Sequence, residues 1–191
     1  MAYDKETFLK KVIVLHDTRE QENGHILTAF DKIGVAHEKR KLDYGDYSFS
    51  VDGRDFSLSC AVERKANVNE LYGNITHDRD RIERVFQAAS GMRTDFTLLI
   101  ENCGNMEELK AFRISDWEKE KFHRKIQNIG KPCASTLEAW QSGNRYQFKI
   151  LFVKHPNQSA AEILKRFYWY WHNYKRLTAS RRNLICSKTD S

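Results

Sequence analysis

Apolar positions in this chain follow two periods, and the switches between them outline its elements. Val12, Ile13, Val14 and Leu15 form an unbroken apolar run, which predicts a buried strand ending at His16-Asp17. Ile26, Leu27, Phe30 and Ile33 then recur at helical spacing, and Gly34 predicts the stop of that helix. Residues 38–42 read as a polar, extended segment. Clean alternation follows over residues 47–51 and again over 56–62, and Asp52-Gly53 between them predicts a hairpin turn. The loops of that hairpin are unequal, so a bulge is needed to bring the far ends of its strands into register.

Asn67 predicts the cap of a helix carrying Val68, Leu71, Ile75, Ile82, Val85 and Phe86, bent or interrupted at residues 77–80. Phe96 to Ile100 predicts a further apolar strand, ending at Glu101. Residues 102–131 are polar and charged, with loose helical spacing at Trp117, Phe122, Ile126 and Ile129. A short helix over 135–140, a long strand over 146–153 and a strong helix over 159–177 complete the pattern. Strand, helix, three strands around a hairpin, helix, strand, helical insertion, strand, helix: this order predicts one α/β domain with a mixed central β-sheet flanked by helices. Its core is expected over about 8–101 and 134–177, with a helical insertion over about 102–133 and a polar, fraying tail over 178–191. On the last helix Ile163, Leu164, Phe167, Trp171 and Tyr174 share a core face. Tyr168, Trp169 and Tyr170 do not all fit it, and are left to cover the insertion, form a subunit contact or stack on bases.

The composition, 40% hydrophobic and 30% charged over 191 residues, is that of a folded domain rather than a disordered chain. A net charge of +6 suits a polyanionic partner and specifies none by itself. Cys60, Cys103, Cys133 and Cys186 form no CxxC pair and match no zinc spacing, so they read as reduced thiols of an intracellular, cytoplasmic protein. The first residues show no signal peptide and no apolar run reaches membrane-spanning length, so no membrane partner is expected.

Chemistry concentrates where the two hairpin strands end. Gly45-Asp46-Tyr47 opens one strand, and Glu63-Arg64-Lys65 closes its partner, so Asp46 and Glu63 are expected side by side. Glu63 and Lys65 project to one face and Arg64 to the other, leaving the Arg64 carbonyl available to a metal. Two carboxylates suit a hard divalent cation, and a nearby ammonium suits an attacking water or a charged transition state; phosphodiester cleavage needs this set. Taken singly, Gly45-Asp46 is also ordinary turn chemistry, and Glu63 with Lys65 an ordinary surface pair. Arg79, Arg81, Arg84 and Arg93 flank the region as a solvated face or a DNA-backbone track. His16 and His77 read as structural.

Four blocks occur in one order. They are Asp17-Thr18-Arg19-Glu20 after the first strand, Leu42-Asp43-Tyr44-Gly45-Asp46-Tyr47, Val62-Glu63-Arg64-Lys65, and Glu70-Leu71 with Asn74-Ile75 and Arg79. Together with the strand from Phe96 to Glu101 they resemble the XPF-type nuclease family, a branch of the restriction-endonuclease-like (PD-(D/E)XK) superfamily. The resemblance covers about the first half of the chain, with a matching final strand and helix. It implies a divalent-metal-dependent DNA endonuclease in which Asp46 and Glu63 bind Mg²⁺ or Mn²⁺ and the Arg64 backbone carbonyl completes the protein ligands. Lys65 would orient or deprotonate the attacking water, and Asp17 would lie at the edge of the metal site, directly or through a water. Arg19, Glu20 and Arg64 would shape the site or contact phosphate, with Arg79 a further phosphate candidate. DNA is the implied partner, branched or flapped DNA the implied target, and a homodimer an arrangement the resemblance allows. Many members carry helix-hairpin-helix motifs after this domain; nothing following Leu177 is long enough for one. The expectation is therefore a small stand-alone nuclease of bacterial or phage type. The alternatives are a non-catalytic DNA-binding or scaffold module on the same fold, and a metal-dependent RNA nuclease.

Overall fold

The strands are β1 (Val12–His16), β2 (Ala36–Lys39), β3 (Tyr47–Val51), β4 (Arg54–Asp55), β5 (Cys60–Lys65), β6 (Asp95–Glu101) and β7 (Lys149–Val153). In the computed structural model they form one 7-stranded sheet in the order β2-β1-β3-β5-β6-β7, with β4 paired to β3. Residues 2–189 are described, with side chains over 4–180. Pairing is parallel for β1 with β2, β5 with β6, and β6 with β7. It is antiparallel for β1 with β3 and for β3 with β5. The helices are α1 (Ala2–Lys11), α2 (Gly24–Lys32), α3 (Val68–Thr76), α4 (Arg79–Gly91), α5 (Met106–Ala111), α6 (Asp116–Lys121), α7 (Gly130–Gln141) and α8 (Ser159–Thr189).

Side chains alternate across the strands and build a separate core on each face of the sheet. On one face Val14, Tyr47, Phe49 and Val62 pack with Phe8, Phe30, Ile163 and Phe167 from α1, α2 and α8. On the other, Ala61, Phe96, Leu98 and Ile100 pack with Leu71, Ile75, Phe86, Leu137 and Trp140 from α3, α4 and α7. Phe49 stacks between Phe56 and Phe167, with ring centroids 4.7 Å away on each side. Phe86 stacks on Phe148 at 4.5 Å and meets Phe96 edge-on at 5.6 Å. Helices on both faces leave β5 buried along its whole length, its three terminal charged residues included.

The hairpin differs from its sequence pattern in one respect that shapes the site. Asp52 and Gly53 both take positive φ, 51° and 74°, as a primed two-residue turn requires. The returning strand, however, is only Arg54–Asp55. Phe56 drops into the core against Phe49, and the chain turns through hydrogen bonds from Ser59 and Cys60 amides to the Phe56 carbonyl. It re-enters as β5, aligned with β6 from Cys60↔Asp95 to Lys65↔Ile100, and pairs with β3 only at Tyr47↔Val62. Of the strand expected over 56–62, residues 56–59 are thus a turn and only 60–62 are strand, as the start of β5, because pairing with β6 outweighs continuation of the hairpin.

Other boundaries shift for similar reasons. The extended segment expected over 38–42 is β2, at Ala36–Lys39, drawn back by its register on β1. The interrupted helix is α3 and α4, separated at His77-Asp78, with the Asn67 side chain capping α3 through the Glu70 amide. Only Lys149–Val153 of the long strand pairs, because the Tyr146 and Phe148 rings stack on Phe86 instead. α7 starts earlier than expected, at Gly130. α1 had no signal in the sequence pattern; among its described side chains, Phe8 is the one fully buried anchor. The tail expected to fray continues α8 as helix to Thr189, and residues 190–191 lie outside the described residues. Cys60, Cys103 and Cys133 are free and buried, and Cys186 lies outside the described side chains. Among the described residues no helix is long and apolar enough to cross a membrane.

Phe86 joins the aromatic core of the α3–α4 face, in contact with Phe96, Trp140, Tyr146 and Phe148. Phe86→Ala is expected to remove about 3–5 kcal/mol of stability, the usual cost of emptying an aromatic core position, read as a lowered midpoint of urea unfolding.

Candidate active site

The ends of β1, β3 and β5 are tied together by main-chain bonds around Asp46. The Asp17 amide donates to the Asp46 carbonyl at 2.8 Å, and the Asp46 amide donates to the Val62 carbonyl at 2.8 Å. The Asp46 carboxylate in turn accepts the Arg64 amide at 2.7 Å. This close approach depends on Gly45, which has φ of +76°; a Cβ there would lie 3.1 Å from the Ala61 Cβ and 3.2 Å from the Val62 carbonyl oxygen. Gly45 therefore lets the loop lie flat on β5 and deliver Asp46 beside Glu63.

Asp46, Glu63 and Lys65 share a cleft of about 240 Å³, with Arg19, Glu20, Glu70 and Arg81 also in its walls. A wider hollow of about 490 Å³, between Asp95, Lys149, Arg166 and α8, has no paired carboxylates; its one acid, Asp95, is neutralised by Lys149 at 2.8 Å. The Lys65 ammonium lies 2.8 Å from Glu63 Oε1 and 3.6 Å from Glu70 Oε1. Burial, and then the neighbouring charge of Glu63, raises the Asp46 carboxyl well above the usual carboxylate range. Burial alone would lower Lys65, but Glu63, Asp46 and Glu70 outweigh it and hold the ammonium above its ordinary value. Among the described residues, Asp46 Oδ1 and Glu63 Oε2 accept no hydrogen bond. The cleft thus offers hard oxygen donors and too little positive charge for its acids. No group of three or more His, Cys, Asp or Glu side chains is arranged to hold a metal among the described residues. A cation here would rest on two carboxylates and main-chain oxygen, a set that fits Mg²⁺, which keeps most of its waters.

On the opposite face of β5 one cation is shared between two carboxylates. Arg64 bonds Glu20 Oε1 at 2.6 Å and Glu101 Oε2 at 2.8 Å. Glu101 Oε1 also meets His25 Nε2 at 2.9 Å and the Ser159 hydroxyl. Burial would raise Glu101, yet the bonds from Arg64, Ser159 and His25 together hold it below its ordinary value. Burial of Glu20 prevails over Arg64 and raises its carboxyl.

Of the residues singled out in the sequence, Asp46, Glu63, Lys65, Arg64, Arg19 and Glu20 come together at the cleft. Asp17 lies behind it. Its carboxylate accepts the Arg19 amide at 2.8 Å, Arg19 Nε at 2.6 Å and the Leu42 amide at 2.7 Å. Burial would raise Asp17, but these bonds lower it. Arg79 is also turned away: it bonds Glu83 at 2.7 Å and lies 5.6 Å over the Trp140 ring. Arg81 takes the place in the cleft wall instead. Successive helical residues advance by about 100°, so Arg79 and Arg81 diverge by about 200° and only one of them can face the site. Glu70 was legible only as part of a block; its Oε2 accepts the Ala66 amide at the start of α3, which aims Oε1 at Lys65. Glu101, the second partner of Arg64, closed an apolar strand and carried no signal of its own.

Arg64→Met would leave Glu20 and Glu101 buried without their cation. The expected loss is about 3–5 kcal/mol, as for other broken buried pairs, measured by chemical denaturation with chelator present.

The sequence model of the ERCC4 domain matches residues 16–167. Among curated proteins none matches the chain in sequence. Of solved structures, XPF from Aeropyrum pernix is similar at 17% identity with a TM-score of 0.50, over 81% of this chain and 59% of that one. XPF from Aeropyrum pernix in complex with DNA is similar at 16% identity with a TM-score of 0.56, over 84% of this chain and 65% of that one. The chain thus spans less than two thirds of these structures, and the likeness is one of fold. With the family match running from the end of β1 into α8, across the whole cleft, the chain belongs to the ERCC4 domain family.

Proposed function

We propose that this protein is a divalent-metal-dependent DNA endonuclease. One observation carries the reading: Asp46 and Glu63 each present an unbonded carboxylate oxygen in the cleft that also holds the Lys65 ammonium. Asp46, Glu63 and the Arg64 carbonyl are assigned as ligands of Mg²⁺ or Mn²⁺. Such a cation supplies water activation and neutralises charge on the scissile phosphate. Lys65, with its Nζ 2.8 Å from Glu63 Oε1, is assigned to orient or deprotonate the attacking water. Arg19 and Arg81, on the cleft walls, are assigned to the phosphate backbone. Asp17 holds Arg19 and the peptide of Asp46 in place and is assigned no direct contact with substrate. The structural likeness to an XPF bound to DNA supports DNA as the partner, with branched or flapped DNA the first substrates to try.

Asp46→Asn and Glu63→Gln are expected to lower Mg²⁺- or Mn²⁺-dependent cleavage by at least about a hundredfold, the scale on which such groups act, while the fold is kept. Duplex, forked, flapped and single-stranded DNA are assayed beside RNA of the same sequence. Full activity in either variant, or in excess chelator, would sink the proposal. DNA binding with no cutting favours a scaffold module, and preferential cutting of RNA favours a ribonuclease. A second pair of variants tests the cleft wall: Arg81→Ala is expected to raise KM several-fold, about the loss of one charge-assisted contact, and Arg79→Ala to leave KM unchanged.

A further inference from the structure

The insertion between β6 and β7 presents a surface that neither the fold nor the cleft uses. α6 buries none of its residues, yet it is firmly built. Ser115 and Glu118 form a reciprocal capping box, Asp116 accepts the Gln127 amide group, and the Ile114 amide donates to the Gln127 carbonyl at 3.0 Å. On this closed loop Trp117, Phe122 and Ile126 are 64%, 45% and 42% exposed. Lys121 lies 4.5 Å over the Trp117 ring and 5.4 Å over that of Phe122. Aromatic surface held out in water on an ordered loop marks a place where something binds.

Charge identifies the class of partner. Arg113, Lys119 and Lys125 have no carboxylate partner among the described residues, whereas Asp116 and Glu118 are occupied inside the loop. Glu120, exposed on the same helix, is likewise without a cation partner among the described residues, so residues 113–126 carry five Lys and Arg against three acids, a net positive surface interleaved with aromatic rings. An unpaired nucleic-acid strand offers both complements, phosphates for the cations and base faces for the rings; a duplex keeps its base faces stacked inside. The location agrees. The Arg124 guanidinium lies 4.7 Å over Tyr72 on α3, and its Nη1 is 3.5 Å from His77 just beyond that helix. α3 also carries Glu70, in the wall of the cleft. A strand leaving the cleft across α3 would run onto α6.

We propose that residues 113–126 form a stacking platform for an unpaired segment of nucleic acid, with Trp117 and Phe122 stacking on bases and Lys119, Lys121 and Lys125 meeting phosphates. That this segment belongs to the cleaved substrate rests on the nuclease reading; the binding itself does not. The test is therefore made in chelator, where nothing is cut. A labelled single-stranded oligonucleotide and a blunt duplex of the same length are titrated by fluorescence anisotropy. Trp117→Ala with Phe122→Ala is expected to weaken single-strand binding at least about fivefold, the lower end for lost base–aromatic stacking, and duplex binding less than twofold. Lys119→Glu with Lys125→Glu is expected to weaken single-strand binding and flatten its salt dependence. Trp117, Phe122 and Lys125 being exposed and Lys119 only half-buried, thermal midpoints are expected to stay unchanged. Unchanged single-strand affinity, or equal losses on both ligands, overturns the proposal. So does a change in sedimentation with DNA binding intact, which would make the surface a protein contact. Single-strand binding that responds as expected, in a protein that cuts nothing, upholds the platform and removes only the nuclease reading.

Discussion

Everything in this structure turns on the need to pair three charges at the buried end of one central strand. Glu63, Arg64 and Lys65 are each less than a tenth exposed, because α-helices cover both faces of β5. Strand alternation leaves no choice of direction: Arg64 must go to the α2–α8 face, and Glu63 and Lys65 to the α3–α4 face. A charge in that position is tolerable only if its partners come to it. Arg64 draws Glu20 from the segment after β1 and Glu101 from the end of β6, and Glu101 draws His25 and Ser159 from the first turns of α2 and α8. One guanidinium thereby fixes the mutual placement of two strand ends and two helix starts.

On the other face the pairing is incomplete, and the incompleteness makes a site. Asp46 joins Glu63 there, with Lys65 as the nearest cation, so burial and like charge both push the Asp46 carboxyl up. Their meeting depends on the excursion of the chain at residues 56–59: the β3–β4 register would continue to Tyr47 opposite Leu58, but after the excursion Tyr47 faces Val62 instead. That shift of four residues, with the close approach of Gly45 to β5, sets Glu63 beside Asp46.

The parts legible in the sequence were those fixed by local period or turn chemistry: the apolar runs of β1 and β6, the Asp52-Gly53 turn, the Asn67 cap and the two-sided arrangement of Glu63, Arg64 and Lys65. What was not legible depended on distant partners. The split of the 56–62 pattern follows from six residues of pairing with β6, which no local alternation encodes. The Asp17 block was visible, but not that Arg19 and the Leu42 amide would occupy its carboxylate. Arg79 and Arg81 could be separated only once the break at His77-Asp78 had set the phase of α4. α1 carries no legible period because, among its described side chains, Phe8 is the single buried anchor.

The two faces of β5 should also respond in opposite senses when charge is removed, and this separates structure from chemistry within one strand. Neutralising an acid in the cleft relieves repulsion between Asp46 and Glu63 and leaves Lys65 with a remaining carboxylate, so the fold is spared while the donor set is damaged. Neutralising Arg64 strands two buried carboxylates on the opposite face and acts on the fold first. A cation that binds only the folded cleft adds to stability by mass action, in proportion to the logarithm of its concentration over its dissociation constant. On the proposed reading, a cation bound between Asp46 and Glu63 would therefore be seen as added stability of the folded protein, in a cleft whose acids outnumber its nearest cation.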